Sequence, residues 1–232
     1  MQQLLLDLSQ PPPPRLTNFA VGHNGQALCA LDGWLHGSLH ERCVYLWGPP
    51  GCGKTHLLRA LVDAASDQAI ASVYVQGGTL EALEDVAELP RLIALDDAQG
   101  LTELQQAALF RLFQRASEVD TLLLVSGAAA PAGLRLRDDL RTRLASGLTF
   151  QLHLLSDEEK GEALRSHAAI RGFELAPEIA QYLLRRQRRD LASLMQVLDT
   201  LDQYSLRVKR PITLALLREM LQPENSANAR QP

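Results

Sequence analysis

The chain has 232 residues, of which 46% are apolar, and a formal net charge of −4 at pH 7. This length is enough to bury a real core, as one larger domain or as one domain with a small subdomain, whereas the negative charge argues against a strong, unaided nucleic-acid binder. No apolar run approaches the ~18 residues of a membrane span, no secretory signal opens the chain, and the three cysteines show no C-x-x-C spacing. We therefore expect a cytoplasmic protein with reduced thiols.

The N-terminal residues form a short apolar peptide that is followed by prolines. Residues 1–8 are mostly apolar, and Pro11–Pro14 come shortly after them. Four consecutive prolines favour a stiff, extended polyproline II segment. We predict that residues 1–15 are an exposed peptide with its linker, held away from the folded body.

A phosphate-binding motif follows a predicted helix around Gln26–Leu35 and a predicted strand over Cys43–Trp47. Residues 48–55 fit the pattern G-x-x-x-x-G-K-[ST], and their small side chains let backbone N–H groups surround a β-phosphate. A helix that begins near Lys54 points its positive dipole end at the same anion. Lys54 would reach the β- and γ-phosphates, and the Thr55 hydroxyl would ligate Mg²⁺. The predicted phosphate-binding residues are Gly48, Pro49, Pro50, Gly51, Cys52, Gly53, Lys54 and Thr55.

Strands and helices alternate in the central part of the chain. Predicted strands cover Ile70–Val75, Leu92–Leu95, Thr121–Val125 and Leu148–Leu152, and predicted helices cover Leu80–Val86 and Thr102 to about Ala116. Strands that are apolar throughout, without alternation, indicate burial on both faces, as in a parallel sheet covered by helices. We therefore predict an α/β nucleotide-binding domain over residues 16–154.

Acidic and hydroxyl side chains end two predicted strands that follow one another along the chain. Asp96 and Asp97 directly follow the strand at Leu92–Leu95. Asp96 is the candidate for holding Mg²⁺ together with Thr55, and Asp97 is the candidate for orienting or deprotonating an attacking water. If the next strand lies beside this one, the Ser126 hydroxyl would help to position that water.

The strands stop at Ser156, and the remaining elements are helical. Ser156 and Glu159 form a capping box that opens a helix to about Ile170. Pro177 suits the first turn of the next helix, and a leucine stripe over Leu191–Leu201 indicates a third. A last helix covers about Thr213–Leu221. We predict a small all-helical domain over residues 155–222 and a disordered tail over residues 223–232.

Arg143 and Arg189 are candidates for stabilising negative charge on a γ-phosphate. An arginine supplied to the equatorial oxygens during in-line displacement is worth ~10³–10⁵ in rate. Arg143 lies just before the last predicted strand, and Arg189 opens the helix with the leucine stripe. Each residue is also explained as an ordinary surface arginine, and spacing does not decide between the two interpretations.

The order of these motifs resembles that of the AAA+ ATPases and, among them, the family of the replication initiator DnaA and its shorter relative Hda. The resemblance implies an AAA+ P-loop core with a helical lid. It implies that Phe19 and Val21, in the segment Leu16–Gly22, cradle adenine, and that His56 joins the nucleotide-contacting set. It also implies that Arg189 contacts nucleotide bound in cis and that Arg143 is an arginine finger acting in trans on a neighbouring subunit.

Two further features resemble Hda rather than DnaA. The first is length: a DnaA chain continues past its helical lid into a helix-turn-helix domain, and we expect no such domain after the helical domain here. The second is the N-terminal peptide of this chain, which is similar to the peptide with which Hda binds the β sliding clamp of DNA polymerase III, although Asp7 stands where that peptide often has proline. The clamp-binding residues implied by this resemblance are Gln3, Leu4, Leu6 and Leu8.

The resemblance implies a negative regulator of replication initiation. Such a protein binds ADP (or ATP) with Mg²⁺, associates with DNA indirectly through the clamp, and stimulates hydrolysis of DnaA-bound ATP while its own ATPase is weak. Homo-oligomers are compatible with this class, and membrane association is not expected. The alternatives are a self-contained, DNA-stimulated AAA+ ATPase, such as a helicase loader or clamp-loader-like subunit, and a DNA-anchored initiator paralogue.

Overall fold

The computed structural model describes residues 13–83, 86–186 and 190–221. Contacts divide the chain into the unit Pro13–Leu155 and a unit that contains the residues from Ser156 onward. The predicted clamp peptide with Gln3, Leu4, Leu6 and Leu8, the predicted lid residue Arg189 and the predicted tail 223–232 lie outside the described residues.

The unit Pro13–Leu155 is an α/β domain built on five parallel strands in the order β2-β3-β4-β1-β5. Its elements are α1 (Gly25–Leu35), β1 (Cys43–Trp47), α2 (Lys54–Asp67), β2 (Ser72–Gln76), β3 (Leu92–Asp96), α3 (Glu103–Glu118), β4 (Leu122–Gly127), α4 (Asp138–Ser146) and β5 (Leu148–Gln151). Strands β1 and β3 lie on either side of β4. Because all the strands are parallel, their carboxyl ends lie at the same edge of the sheet.

The central strands β1, β3 and β4 are buried on both faces, and the sheet is parallel, as predicted from the continuous apolar strands. Val44 and Leu46 of β1 contribute to one core cluster, and Tyr45 contributes to the cluster on the opposite face. All three side chains have no exposed surface. Successive residues of a strand point to opposite faces, so a strand covered on both sides has no position for a polar residue until it ends.

Two predicted elements differ from the structure. The helix expected over Leu80–Val86 is instead a 3-10 helix over Gly77–Leu83. The Thr79 hydroxyl donates to the Gln76 carbonyl at 3.0 Å, a local bond that competes with the α-helical pattern. The strand expected from Ile70 begins two residues later, at Ser72.

The unit that begins at Ser156 contains four helices within its described residues: α5 (Asp157–Ile170), α6 (Pro177–Arg186), α7 (Leu191–Val208) and α8 (Leu214–Leu221). The predicted capping box is confirmed, because Glu159 N donates to Ser156 Oγ at 3.1 Å and Ser156 N donates to the Glu159 carboxylate at 2.7 Å. Three leucines of the predicted α7 stripe, Leu194, Leu198 and Leu201, are fully buried in the core of this unit.

A charged cluster is buried among these helices. The Asp199 carboxylate of α7 contacts His167 Nε2 at 2.6 Å and Arg171 Nε at 2.8 Å, both at the C-terminal end of α5. Only 6% of the Asp199 side chain is exposed. Burying a carboxylate is costly unless its oxygens have partners, so this cluster fixes how α5 and α7 pack.

Across the described ranges, no helix combines the length and the apolar character needed to cross a lipid bilayer.

Candidate functional site

The predicted phosphate-binding loop lies between β1 and α2, at the carboxyl edge of the sheet. Gly51 and Gly53 adopt positive φ angles of 83° and 99°, a region that favours glycine. A Cβ at Gly53 would lie 2.6 Å from Phe19 Cε2, which is inside van der Waals contact. Gly53 is the residue before Lys54, the first residue of α2, so the loop turns its backbone directly into the helix N-terminus.

Replacing Gly53 by alanine is expected to lower the free energy of unfolding by about 1–3 kcal/mol, because strained backbone and a collision with Phe19 are introduced together. Gly37→Ala is the matched control: Gly37 also has positive φ, at 74°, but no atom lies within 4 Å of its added Cβ. The difference between the free energies of unfolding of the two variants, measured in urea, gives the cost of the collision with Phe19. An equal loss in the two variants would contradict the packing role of Phe19.

The lysine of the loop is nearly buried. Lys54 is 9% exposed, and its Nζ donates to the Gly48 carbonyl at 2.8 Å and to the Pro49 carbonyl at 3.2 Å. The Cys52 sulfur lies 3.9 Å from the same nitrogen. The loop's own carbonyls therefore hold a positive charge beside the N-terminus of α2, where the helix dipole adds to it.

Thr55 and Asp96 meet at this edge. Thr55 Oγ1 donates to Asp96 Oδ2 at 2.6 Å, although the two residues are 41 positions apart. Asp96 is 1% exposed and therefore has its oxygens held almost entirely by protein groups. A hydroxyl and a carboxylate are the hard oxygen donors that Mg²⁺ takes, usually together with water and substrate phosphates. The residues present thus fit a Mg²⁺–nucleotide site, with Thr55 and Asp96 as its protein donors.

Ser126 lies beside Asp96, as expected if their strands are neighbours. Its fully buried hydroxyl donates to Asp96 Oδ1 and accepts a hydrogen bond from Asp97 N at 3.0 Å. The single hydroxyl proton is thus donated to the carboxylate, and the role of Ser126 in positioning a water stays a prediction. Asp97 itself is exposed, in a left-handed conformation (φ 59°), and its Oδ1 accepts from Gln99 Nε2 at 2.9 Å. Its role as the base stays a prediction.

The segment predicted to cradle adenine packs against the loop. The rings of Phe19 and His56 lie 5.5 Å apart, and His56 Nε2 is 3.0 Å from the Arg15 carbonyl. Burial lowers the pKa of His56, which favours the neutral ring. Phe19 is 8% exposed and supports Gly53, while Val21 is 38% exposed. Of the two predicted base contacts, Val21 is therefore the more accessible.

Two residues at this site have no motif that would reveal them in the sequence. The Asn24 side chain is 2% exposed and bonds the His153 backbone twice, donating to its carbonyl at 3.0 Å and accepting from its N–H at 2.7 Å. Tyr74 of β2 donates its hydroxyl to Asp96 Oδ2 at 2.7 Å. Burial, followed by this bond to Asp96, raises the pKa of Tyr74. Both contacts join segments that are distant in the chain, so only the fold brings them together.

Arg143 lies at the opposite edge of the sheet from the phosphate-binding loop. It lines a cavity of about 200 Å³ together with Cys43, Thr121 and Leu123, which mark the beginnings of β1 and β4. Its guanidinium carbon is 5.1 Å from the centre of the Phe110 ring. A strand rises about 3.3 Å per residue, so the five-residue β1 separates the two edges by roughly 16 Å. Arg143 therefore does not join the phosphate site of its own chain.

Two family models match this chain. Residues 157–221 match the family described as Hda, lid domain. Residues 38–125 match the family described as AAA domain. Residues 38–125 are thus similar to AAA domains, and residues 157–221 are similar to the lid domain of Hda. These matches confirm the resemblance to the AAA+ and Hda families that was predicted from the motifs.

Solved structures share the AAA+ fold. Domain III of the Thermotoga maritima replication initiation protein DnaA matches with a TM-score of 0.75 at 20% identity, over 93% of this chain and 100% of that chain. DnaA from Aquifex aeolicus bound to AMPPCP matches with a TM-score of 0.72 at 20% identity, over 85% of this chain and 67% of that chain. The Thermotoga maritima RuvB Holliday junction branch migration motor matches with a TM-score of 0.68 at 20% identity, over 90% and 71%.

At this level of identity the structural likeness shows the fold. The parallel sheet, the AAA domain match and the Hda lid match confirm the predicted fold class. An AAA+ core also implies that the loop binds a nucleotide.

Proposed function

We propose that this chain is a nucleotide-bound negative regulator of replication initiation. In this proposal it is brought to DNA by the β sliding clamp and stimulates hydrolysis of the ATP that DnaA holds. The observation that carries the proposal is the position of Arg143, at the sheet edge away from its own phosphate-binding loop. An arginine there is unable to serve nucleotide in its own chain and is available to nucleotide held by a neighbour.

The chain's own nucleotide has a structural role in this proposal. Lys54 and the loop N–H groups bind the phosphates of ADP or ATP. Thr55 and Asp96 hold the Mg²⁺, which neutralises charge on the phosphate oxygens when it is bound. The bound nucleotide then fixes the protein in the form that engages DnaA.

Arg143 would act on the partner's ATP by electrostatics. During in-line displacement, negative charge spreads over the equatorial oxygens of the transferred phosphoryl group. A guanidinium presents several N–H donors in a fixed fork and stays charged at every physiological pH. The Phe110 ring, which both Arg137 and Arg143 contact, orients the Arg143 side chain on α4.

Replacing Gln3 and Leu6 together by alanine is expected to abolish capture of the β clamp, because the proposed peptide binds through its glutamine and alternate leucines. A pull-down with immobilised clamp measures this. Leu5→Ala, which changes a leucine between the proposed contacts, is the matched control and should retain the clamp. Equal capture by the double variant and the wild type would contradict the peptide.

The function is tested by measuring hydrolysis of DnaA-bound ATP while this protein, the β clamp and DNA are added stepwise. We expect hydrolysis to accelerate only when all three are present. Hydrolysis that never responds to this protein would contradict the proposal.

A self-contained ATPase is the second candidate, because Thr55, Asp96 and Ser126 are already joined by hydrogen bonds at the phosphate site. Turnover of ATP by the purified protein separates the two candidates. Strong turnover stimulated by single-stranded DNA would favour a helicase loader or clamp-loader-like subunit. Negligible turnover with tight ADP binding would favour the regulator.

A further inference from the structure

Three hydroxyl groups converge on a single buried carboxylate at the phosphate site. Asp96 Oδ2 accepts from Thr55 Oγ1 at 2.6 Å and from the Tyr74 hydroxyl at 2.7 Å, and Asp96 Oδ1 accepts from Ser126 Oγ. The hydroxyls come from three different elements, namely α2, β2 and β4. Thr55 and Ser126 follow from the sequence motifs, whereas Tyr74 belongs to no motif.

The sheet register explains why Tyr74 reaches this carboxylate. Tyr74 pairs with Ala94, and Gln76 pairs with Asp96, in the parallel β2–β3 ladder. Residues two apart on a strand point to the same face, so Tyr74 and Asp96 are diagonal neighbours on one side of the sheet. The guanidinium of Arg59 lies 4.6 Å from the centre of the Tyr74 ring and holds the ring from the helix side.

The hydrogen bonds leave limited capacity on Asp96. An ionised carboxylate has about four lone-pair directions. The three hydroxyls take three of them, which leaves one direction for a further donor. One free direction leaves room for the cation or for one of its waters, and the three hydrogen bonds fix the orientation of both oxygens.

We propose that Tyr74 is a positioning residue for the Mg²⁺–nucleotide site: its hydroxyl fixes the orientation of Asp96 so that the carboxylate supports the hydrated cation beside Thr55. This inference rests on the proposed function, since it assumes that the site holds nucleotide with Mg²⁺. Tyr74 acts through Asp96 and contacts neither the metal nor the phosphates.

The consequence is specific to the metal-dependent part of nucleotide affinity. Groups that orient a metal ligand typically change metal affinity by about 10–100-fold when they are removed. The loop N–H groups and Lys54 bind phosphate whether or not Mg²⁺ is present, so they are independent of Tyr74. The ratio of nucleotide affinity with Mg²⁺ to affinity without it should therefore fall when the Tyr74 hydroxyl is lost.

The test is Tyr74→Phe, which removes one oxygen and keeps the ring against Arg59. The dissociation constant for ADP is measured by calorimetry in Mg²⁺ and in EDTA, and the Mg²⁺ concentration needed for half of the effect is measured by titration. We expect the Mg²⁺ enhancement of ADP affinity to fall about 10-fold or more, with the affinity in EDTA unchanged. Tyr45→Phe is the matched control, because its buried hydroxyl donates to the Ala129 carbonyl at 2.7 Å and does not contact Asp96.

Three other outcomes would each have a distinct meaning. A wild-type protein that binds no ADP, or binds it without any Mg²⁺ effect, would overturn the proposed site itself. A wild-type Mg²⁺ effect that Tyr74→Phe preserves in full would overturn the role of Tyr74 alone. Stronger Mg²⁺ enhancement in Tyr74→Phe would also overturn it, because the hydroxyl would then be competing with the hydrated cation.

Discussion

Replacing Arg143 by alanine is expected to remove the stimulation of ATP hydrolysis on DnaA, with a loss of at least ~10³-fold in the stimulated rate. The physical reason is that an arginine supplied from a neighbouring subunit stabilises charge that exists only in the transition state. The variant should still bind ADP with unchanged affinity, because Arg143 lies at the other edge of the sheet from Lys54 and Thr55. The measurement is single-turnover hydrolysis of radiolabelled ATP on DnaA, with saturating clamp and DNA.

The helix itself provides the control. Arg141 lies two residues earlier on α4 and forms an ion pair with Asp138. Positions two apart on a helix point in nearly opposite directions, so Arg141→Ala removes a similar charge from another face. We expect the Arg141→Ala variant to stimulate hydrolysis of DnaA-bound ATP nearly as well as the wild type does. Arg143→Lys should stimulate ATP hydrolysis little more than Arg143→Ala does, because an ammonium lacks the planar fork of donors. Full stimulation by Arg143→Ala would contradict the proposed finger, and an equal loss in both alanine variants would show a general effect of surface charge.

The parts of the fold that could be predicted from the sequence are those with local causes. The phosphate-binding loop is predicted by eight consecutive residues, because the specified positions of its motif, Gly48, Gly53, Lys54 and Thr55, each carry a backbone, charge or ligand requirement of their own. The capping box at Ser156 is predicted by two residues three positions apart, and it is present. The buried strands are predicted by their nearly uninterrupted apolar residues, because a strand covered on both faces places successive side chains in the core on either side.

The parts that could not be predicted depend on which distant segments become neighbours. Tyr74 and Asp96 belong to different strands, and Asn24 bonds a backbone 129 positions away. An aromatic residue in a strand is ordinarily explained as core, and nothing local distinguishes Tyr74 from Tyr45. The strand order and register decide the matter, because they put the Tyr74 hydroxyl beside a carboxylate and the Tyr45 hydroxyl beside a carbonyl.

Arg143 lies between these two cases. The sequence places it in a helix before the last strand and leaves open whether it is an ordinary surface residue. The parallel connection from α4 to β5 brings the end of this helix to the edge where strands begin. All strands of a parallel sheet begin at one edge and end at the other, and the phosphate-binding loop lies at the edge where they end. The fold thus places Arg143 away from its own phosphate-binding loop, and its role toward a neighbour's nucleotide stays a proposal.

Replacing Asp199 by alanine is expected to cost about 3–5 kcal/mol of stability in the helical unit. The variant leaves His167, which is 9% exposed, and the partly buried Arg171 guanidinium without the carboxylate that both contact. Groups that lose a buried partner retain their desolvation cost, which is why removal of one member costs more than the pair contributes. Urea unfolding checks this with two probes. Trp34 and Trp47, the two tryptophans of the chain, lie in the unit Pro13–Leu155, whereas far-ultraviolet circular dichroism includes the helices α5 to α8.

The two probes should therefore separate in Asp199→Ala. We expect the dichroism transition to gain an early phase at lower urea, while the tryptophan transition keeps its midpoint. Asp202→Ala is the matched control on the same helix. The Asp202 carboxylate makes a longer contact with Arg171, at 3.7 Å, and lies at the more exposed end of the cluster. Its cost should stay below about 1 kcal/mol, as is typical of solvent-accessible pairs. Equal effects of the two substitutions would mean that the buried position of Asp199 contributes nothing, and would contradict the assignment of this cluster as the contact that fixes α5 against α7.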